Sequence, residues 1–173
     1  MTPPYLKKNE NNKKAVRCDE CNSACNIDDL FTIDNRPVCR QCLFGNNEPF
    51  IIYPIGIVKN NLERDETPFG RKGSDTISTI ELLPSQKRFM SGLDQESEII
   101  IVYYFHKSRS VKTLFKRGLD GKQVGVFASR TPDRLSRIGI QDVKLINIQN
   151  TTLFVEGLDA ICGTPVLDIK LKI

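Results

Sequence analysis

Hydrophobic positions along the 173-residue chain fall into two regimes that meet near residue 48. Beyond that point, runs rich in Ile, Val, Leu and Phe recur at 50–58, 76–83, 98–105, 124–129, 140–148, 151–156 and 166–171. Each is alternating or continuously apolar over a few residues and bounded by Gly, Pro, Asn or Asp, the signature of a strand. Only 85–91 hints at a short helix. Many short strands within about 125 residues, without regular helical crossovers, predict a mainly β domain, a small closed or nearly closed β-barrel, over a doubly wound sheet. No internal repeat is visible.

Before residue 48 little can be buried. Residues 1–17 are rich in Asn, Lys and Pro, which predicts a flexible basic tail. Residues 18–45 form a compact cysteine-rich module, 45–49 (Gly-Asn-Asn-Glu-Pro) a linker, and 50–173 the barrel domain. Cys18-Asp-Glu-Cys21 and Cys39-Arg-Gln-Cys42 are two C-x-x-C knuckles separated by 17 residues, the spacing of a four-thiolate structural zinc site. Four thiolates close the tetrahedron and leave no position for catalysis, and so small a module depends on the metal for folding. Disulfides and an iron–sulfur cluster are the alternatives, and Cys25 is a competing fifth thiol. Cys162 reads as a small packed side chain.

Charge adds a second layer. The net +4 is already present in residues 1–17, yet residues 107–144 hold 10 basic and 3 acidic groups whereas 60–100 hold 5 and 8. Such asymmetry suits a surface facing a polyanion, and equally a set of solvated loops. No apolar run reaches the roughly 18 residues of a membrane span, and the first residues lack the apolar core of a signal peptide. The expectation is a soluble, cytoplasmic protein with no membrane partner.

Two ordered strings in the last third carry more specific information: Gly125-Val-Phe-Ala-Ser-Arg130-Thr-Pro132-Asp-Arg134 and Gly157-Leu-Asp159-Ala-Ile-Cys-Gly163-Thr-Pro165-Val-Leu-Asp168. With the opening Tyr53-Pro-Ile-Gly-Ile-Val and the string Tyr103-Tyr-Phe-His106-Lys107, they make the chain resemble the TsaA/TrmO-like family of S-adenosylmethionine-dependent tRNA N6-adenosine methyltransferases. The likeness runs from about Tyr53 to the C-terminus and leaves out the cysteine module. Where this family continues with Pro-Asn-Pro, the chain has Leu135-Ser136-Arg137, and it stops soon after Asp168.

The resemblance implies a barrel that binds S-adenosylmethionine and methylates N6 of a threonylcarbamoylated adenosine in tRNA, with a homodimer helping to form the cleft. It nominates His106, Arg130 and Asp159 as cofactor-binding residues, with Lys107, Ile140 and Pro68 beside them. The chemistry suits those types, since a methylsulfonium donor offers ribose hydroxyls and an amino-acid end of both charges, and a methyl displacement needs alignment more than a covalent nucleophile. The segment 107–122, with Arg109, Lys112, Lys116 and Arg117 around Phe115, is a candidate for touching RNA phosphates, and Arg134 and Arg137 extend that patch. A non-catalytic adaptor on the same barrel, or a methyltransferase for another acceptor, are the competing readings.

Overall fold

The computed structural model describes residues 15–62, 76–108 and 110–173, which divide into two units: residues up to Pro49 together with 110–113, and the rest from Phe50 onward. In the first unit, β1 (Val16–Arg17) and β2 (Ala24–Cys25) pair antiparallel around the first knuckle. A hairpin follows, β3 (Leu30–Ile33) and β4 (Arg36–Cys39), turned by Asp34 and Asn35 at φ 47° and 66°. Two consecutive left-handed residues match the twist of a tight hairpin, and Asp and Asn tolerate that conformation. The short helix α1 (Arg40–Phe44) carries the second knuckle, with Cys39 as its N-cap and Gly45 (φ 59°) ending it.

The apolar centre of this unit is small: Val38, Cys18 and Cys39 are buried, with Cys25, Leu30, Ile33 and Leu43 packed around them. It is completed from far along the chain. Val111, buried, donates its N–H to the Thr32 carbonyl (2.9 Å) and accepts from the Asp34 N–H (2.9 Å). The Asp34 carboxylate then takes both the Thr113 N–H (3.1 Å) and the Thr113 hydroxyl (2.5 Å).

The second unit is the expected barrel. Its strands are β5 (Gly56–Lys59), β6 (Ile77–Leu82), β7 (Glu98–Tyr104), β10 (Ile138–Gln149), β11 (Thr152–Glu156) and β12 (Pro165–Leu171), while β8 (Leu114–Lys116) and β9 (Gln123–Gly125) form a separate hairpin. The order β10-β11-β6-β5-β12-β7 closes on itself with every pair antiparallel, so the barrel has no free edge. Period-two burial sends Ile99, Ile101 and Tyr103 of β7 inward to meet Val58, Ile80, Val143, Leu153, Val155 and Val166. Gly139 of β10 is required where it stands. A Cβ there would lie 2.6 Å from the Tyr103 ring and 2.9 Å from that of Phe105.

Three sequence expectations shift. The run 50–58 becomes strand only at Gly56–Lys59, and Phe50 to Tyr53 stay exposed, because Pro54 has no N–H for a ladder and pairing begins with the Ile55 N–H on Val166. The run 124–129 leaves β9 at Gly125 and tightens into a 3₁₀ turn, Val126–Ala128, whose Val126 carbonyl takes the Ser129 hydroxyl (2.8 Å). The short helix is the 3₁₀ segment Pro84–Phe89, started by its proline.

Candidate functional sites

Each knuckle places two sulfurs at one point. The Sγ atoms of Cys18, Cys21, Cys39 and Cys42 all lie within 4.8 Å of one another, with Cys18–Cys42 and Cys21–Cys39 at 3.9 Å. That is far beyond a disulfide bond and close to the edge, about 3.8 Å, of a tetrahedron with metal–sulfur bonds of about 2.3 Å. Backbone amides favour thiolates here: those of Glu20 and Cys39 point at Cys18 Sγ (3.4 and 3.3 Å), and that of Cys42 at Cys39 Sγ. Amide donation, led by Cys21, draws the Cys18 thiol down to about 6, whereas burial raises that of Cys25. Cys25 stands outside the quartet, its thiol turned to the Ser23 carbonyl (3.5 Å). The donor set and spacing fit zinc.

Of the barrel residues singled out in the sequence, His106 and Lys107 follow β7 directly, and Asp159 and Arg130 lie near Tyr103 at its end. Tyr103 is buried there, its ring edge-on to Phe105 at 5.3 Å. Burial pushes its hydroxyl up to about 12, with Asp159 adding to the rise and Arg130 opposing it, so both charged groups act on the same hydroxyl. His106 follows immediately, its ring nitrogen Nε2 3.8 Å from where a Cβ on Gly163 would stand. Its Nδ1 and the Nε of Arg134 are the buried side-chain nitrogens without a hydrogen-bond partner among the described residues. Burial, then the Lys107 charge, lowers the His106 pKa and keeps the ring neutral near pH 7. Burial raises that of the half-buried Asp159.

Arg130 and Lys107 are exposed. Ile140 pairs with Val102 but turns its side chain outward, 54% exposed, one position beyond the inward Gly139. Pro68 lies outside the described residues. Asp168 serves its own strand, accepting the Ile169 N–H (2.9 Å) beside Lys170 (2.6 Å).

Three further residues organise the site. Gln141 of β10 donates to the Gly157 carbonyl and accepts the Asp159 N–H (2.9 Å), fixing the Gly-Leu-Asp segment. Asn60, just past the end of β5, bridges Ser78 Oγ (2.9 Å) and the Ala160 carbonyl (2.7 Å), holding the same segment. Arg134 folds the loop that carries Arg130, donating to the carbonyls of Ser129 (2.6 Å) and Val126 (3.2 Å). Gln141 sits within a long strand and Asn60 in the bend just after β5, so no pattern in the sequence marks them.

Fold and site together define a closed antiparallel β-barrel protein with a histidine-containing polar site at one strand end and an appended four-cysteine centre. More particularly, the chain belongs to the tRNA-methyltransferase O N-terminal domain family, whose model matches residues 58–172. It is 30% identical over 121 residues to an S-adenosyl-L-methionine-binding protein of Archaeoglobus fulgidus, covering 69% of this chain and 87% of that protein. It is 38% identical over 84 residues to the human tRNA (adenine(37)-N6)-methyltransferase, covering 47% of this chain and 19% of that protein. The crystal structure of TrmO from Pseudomonas aeruginosa superposes with a TM-score of 0.59 at 27% identity, over 73% of this chain and 57% of that one. The chain thus spans little more than half the length of that solved relative.

Proposed function

We propose that this protein is an S-adenosylmethionine-dependent methyltransferase acting on adenine in tRNA, with N6 of a threonylcarbamoylated adenosine as its acceptor. What supports the reading is the placing of Asp159 and Arg130 near the Tyr103 hydroxyl and of a buried, unpartnered His106 Nδ1 beside Gly163, in a chain of this family. When bound, the methylsulfonium would supply an electrophilic methyl group, the bond to the acceptor nitrogen forming as the methyl–sulfur bond breaks, with the sulfur leaving as a neutral thioether and the nitrogen losing one proton. The chain's own part is positioning. Asp159 offers a carboxylate to a hydroxyl or ammonium, Arg130 a guanidinium to a carboxylate, and neutral His106 one donor or acceptor. Gln141, Asn60 and Arg134 hold the backbone from which two of them project.

The test is calorimetric titration of S-adenosylmethionine into the whole protein and its Arg130→Ala variant, followed by mass spectrometry of nucleosides from tRNA incubated with both. Saturable binding, weakened about tenfold or more by the substitution, and a methyl group gained on a modified adenosine are expected; loss of one charged hydrogen bond is of that size. A chain that neither binds the donor nor alters tRNA would sink the proposal. We also infer one zinc ion held by Cys18, Cys21, Cys39 and Cys42, in a structural role.

A further inference from the structure

The β8–β9 hairpin stands apart from the barrel ladder, pairing only with itself: Leu114 with Gly125, Phe115 with Val124, Lys116 with Gln123. Its turn is tightly latched. The Arg117 N–H meets the Lys122 carbonyl (2.9 Å), Gly121 N–H meets the Arg117 carbonyl (2.8 Å), and Gly121 takes φ +70°. The Arg117 guanidinium grips the Asp120 carboxylate with two N–H groups, one of them Nε at 2.9 Å, and the same carboxylate accepts the Lys122 N–H (3.2 Å). Arg117, a candidate for RNA phosphates from sequence, is therefore committed to holding the turn.

Asp120 is the one acidic residue between residues 110 and 132, and Arg117 neutralises it. Lys116 and Lys122 are exposed and have no carboxylate partner among the described residues. The Lys116 stem lies over the turn, its Cε 4.0 Å from where a Cβ on Gly121 would stand, which brings its ammonium to the same tip as Lys122. Leu119, 88% exposed, completes the tip with an apolar surface. The hairpin exit leads directly into the Val126–Ala128 turn and the Arg134-braced loop bearing Arg130.

From this we propose that the β8–β9 tip is a contact element for the tRNA backbone, Lys116 and Lys122 each neutralising a phosphate while Leu119 lies against a ribose or base face. Two uncompensated ammoniums on a preorganised turn bind a polyanion with little backbone left to order, and the loop that follows leads to the donor site. The inference rests on the tRNA reading above and adds where the RNA is held. It assigns Arg117 and Asp120 to the shape of the tip and the two lysines to binding.

The experiment measures tRNA affinity by filter binding from 50 to 300 mM salt for the natural chain, for Lys116→Gln with Lys122→Gln, and for Arg117→Ala with Asp120→Ala. Removing two phosphate contacts lowers the slope of log affinity against log salt by about 1.4–1.8 and weakens binding roughly tenfold near 0.1 M salt. S-adenosylmethionine affinity stays unchanged, because neither lysine belongs to the donor site. The charge-neutral second pair weakens tRNA binding through the unlatched turn while keeping more of the slope. A natural chain that binds tRNA with the same affinity and slope as the lysine variant would overturn the hairpin assignment alone. A natural chain that binds no tRNA at low salt would overturn the tRNA reading itself. Lysine-dependent adsorption to phosphatidylserine vesicles, with tRNA binding unaffected, would move the tip to a membrane surface and overturn the proposal.

Discussion

At the residue scale, Gly139 and His106 illustrate how one side chain, present or missing, governs the strand end. No room exists for a methyl group at Gly139, since the nearest atoms belong to the rigid rings of Tyr103 and Phe105. Gly139→Ala should cost about 1–3 kcal/mol of stability in urea titration through overpacking, and it should weaken donor binding by displacing Tyr103. His106 contributes a pH dependence of definite sign. Its native pKa is depressed by burial and by Lys107, so the folded chain binds fewer protons there than the unfolded one. Its contribution is present above the unfolded pKa of about 6.5 and is lost as pH falls. Asp159, raised by burial, works in the opposite sense, its contribution being lost as pH rises through its native pKa. Urea midpoints between pH 7.5 and 5 should fall less steeply for His106→Gln than for the natural chain. Equal slopes would remove His106 as the cause.

At the element scale, the cysteine unit has too little apolar material to fold without help, with three buried residues at its centre. Dialysis against a strong chelator should release about one zinc per chain and abolish amide-exchange protection across β3, β4 and α1, while β6, β7 and β10 stay protected. Cys39→Ser should do the same. Retained protection in metal-free protein would show that packing alone suffices. The knuckles were plain in the sequence because metal chemistry constrains residue type and spacing together. The barrel strands were plain because a closed sheet imposes period-two burial, and every long strand from β6 to β12 begins within two residues of its expected start. The exposed run from Phe50 to Tyr53 misled because apolar composition resembles a strand even where Pro54 withholds a ladder donor. His106, Arg130 and Asp159 stood out through family resemblance, not through periodicity. The roles of Gln141, Asn60 and Tyr103 depend on partners distant in sequence, 100 residues away for Asn60 and Ala160.

At the scale of the whole molecule, the N-terminal unit is discontinuous, borrowing residues 110–113 from the middle of the chain. Deleting residues 1–49 therefore leaves the apolar Val111 without its packing and Thr113 without the Asp34 carboxylate. A chain restricted to 50–173 should keep the barrel, whose ladder is complete without them. It should nevertheless show faster amide exchange and protease cleavage within 110–114, and in limited proteolysis that cut should appear first. Resistance equal to that of the full chain would mean the segment holds its shape unaided.

The same borrowed segment sets a timetable during synthesis. Asp34 and Thr113 are separated by 79 residues, about 4–16 s of translation at typical ribosomal rates. The nascent cysteine unit has all four clustered thiols soon after Cys42 emerges, yet it must wait with an open side until Val111 and Thr113 arrive. By then β5, β6 and β7 have also left the ribosome. A premature stop or pause before residue 111 would leave the cysteine unit without Val111 and Thr113, an incompletely closed fragment open to proteolysis.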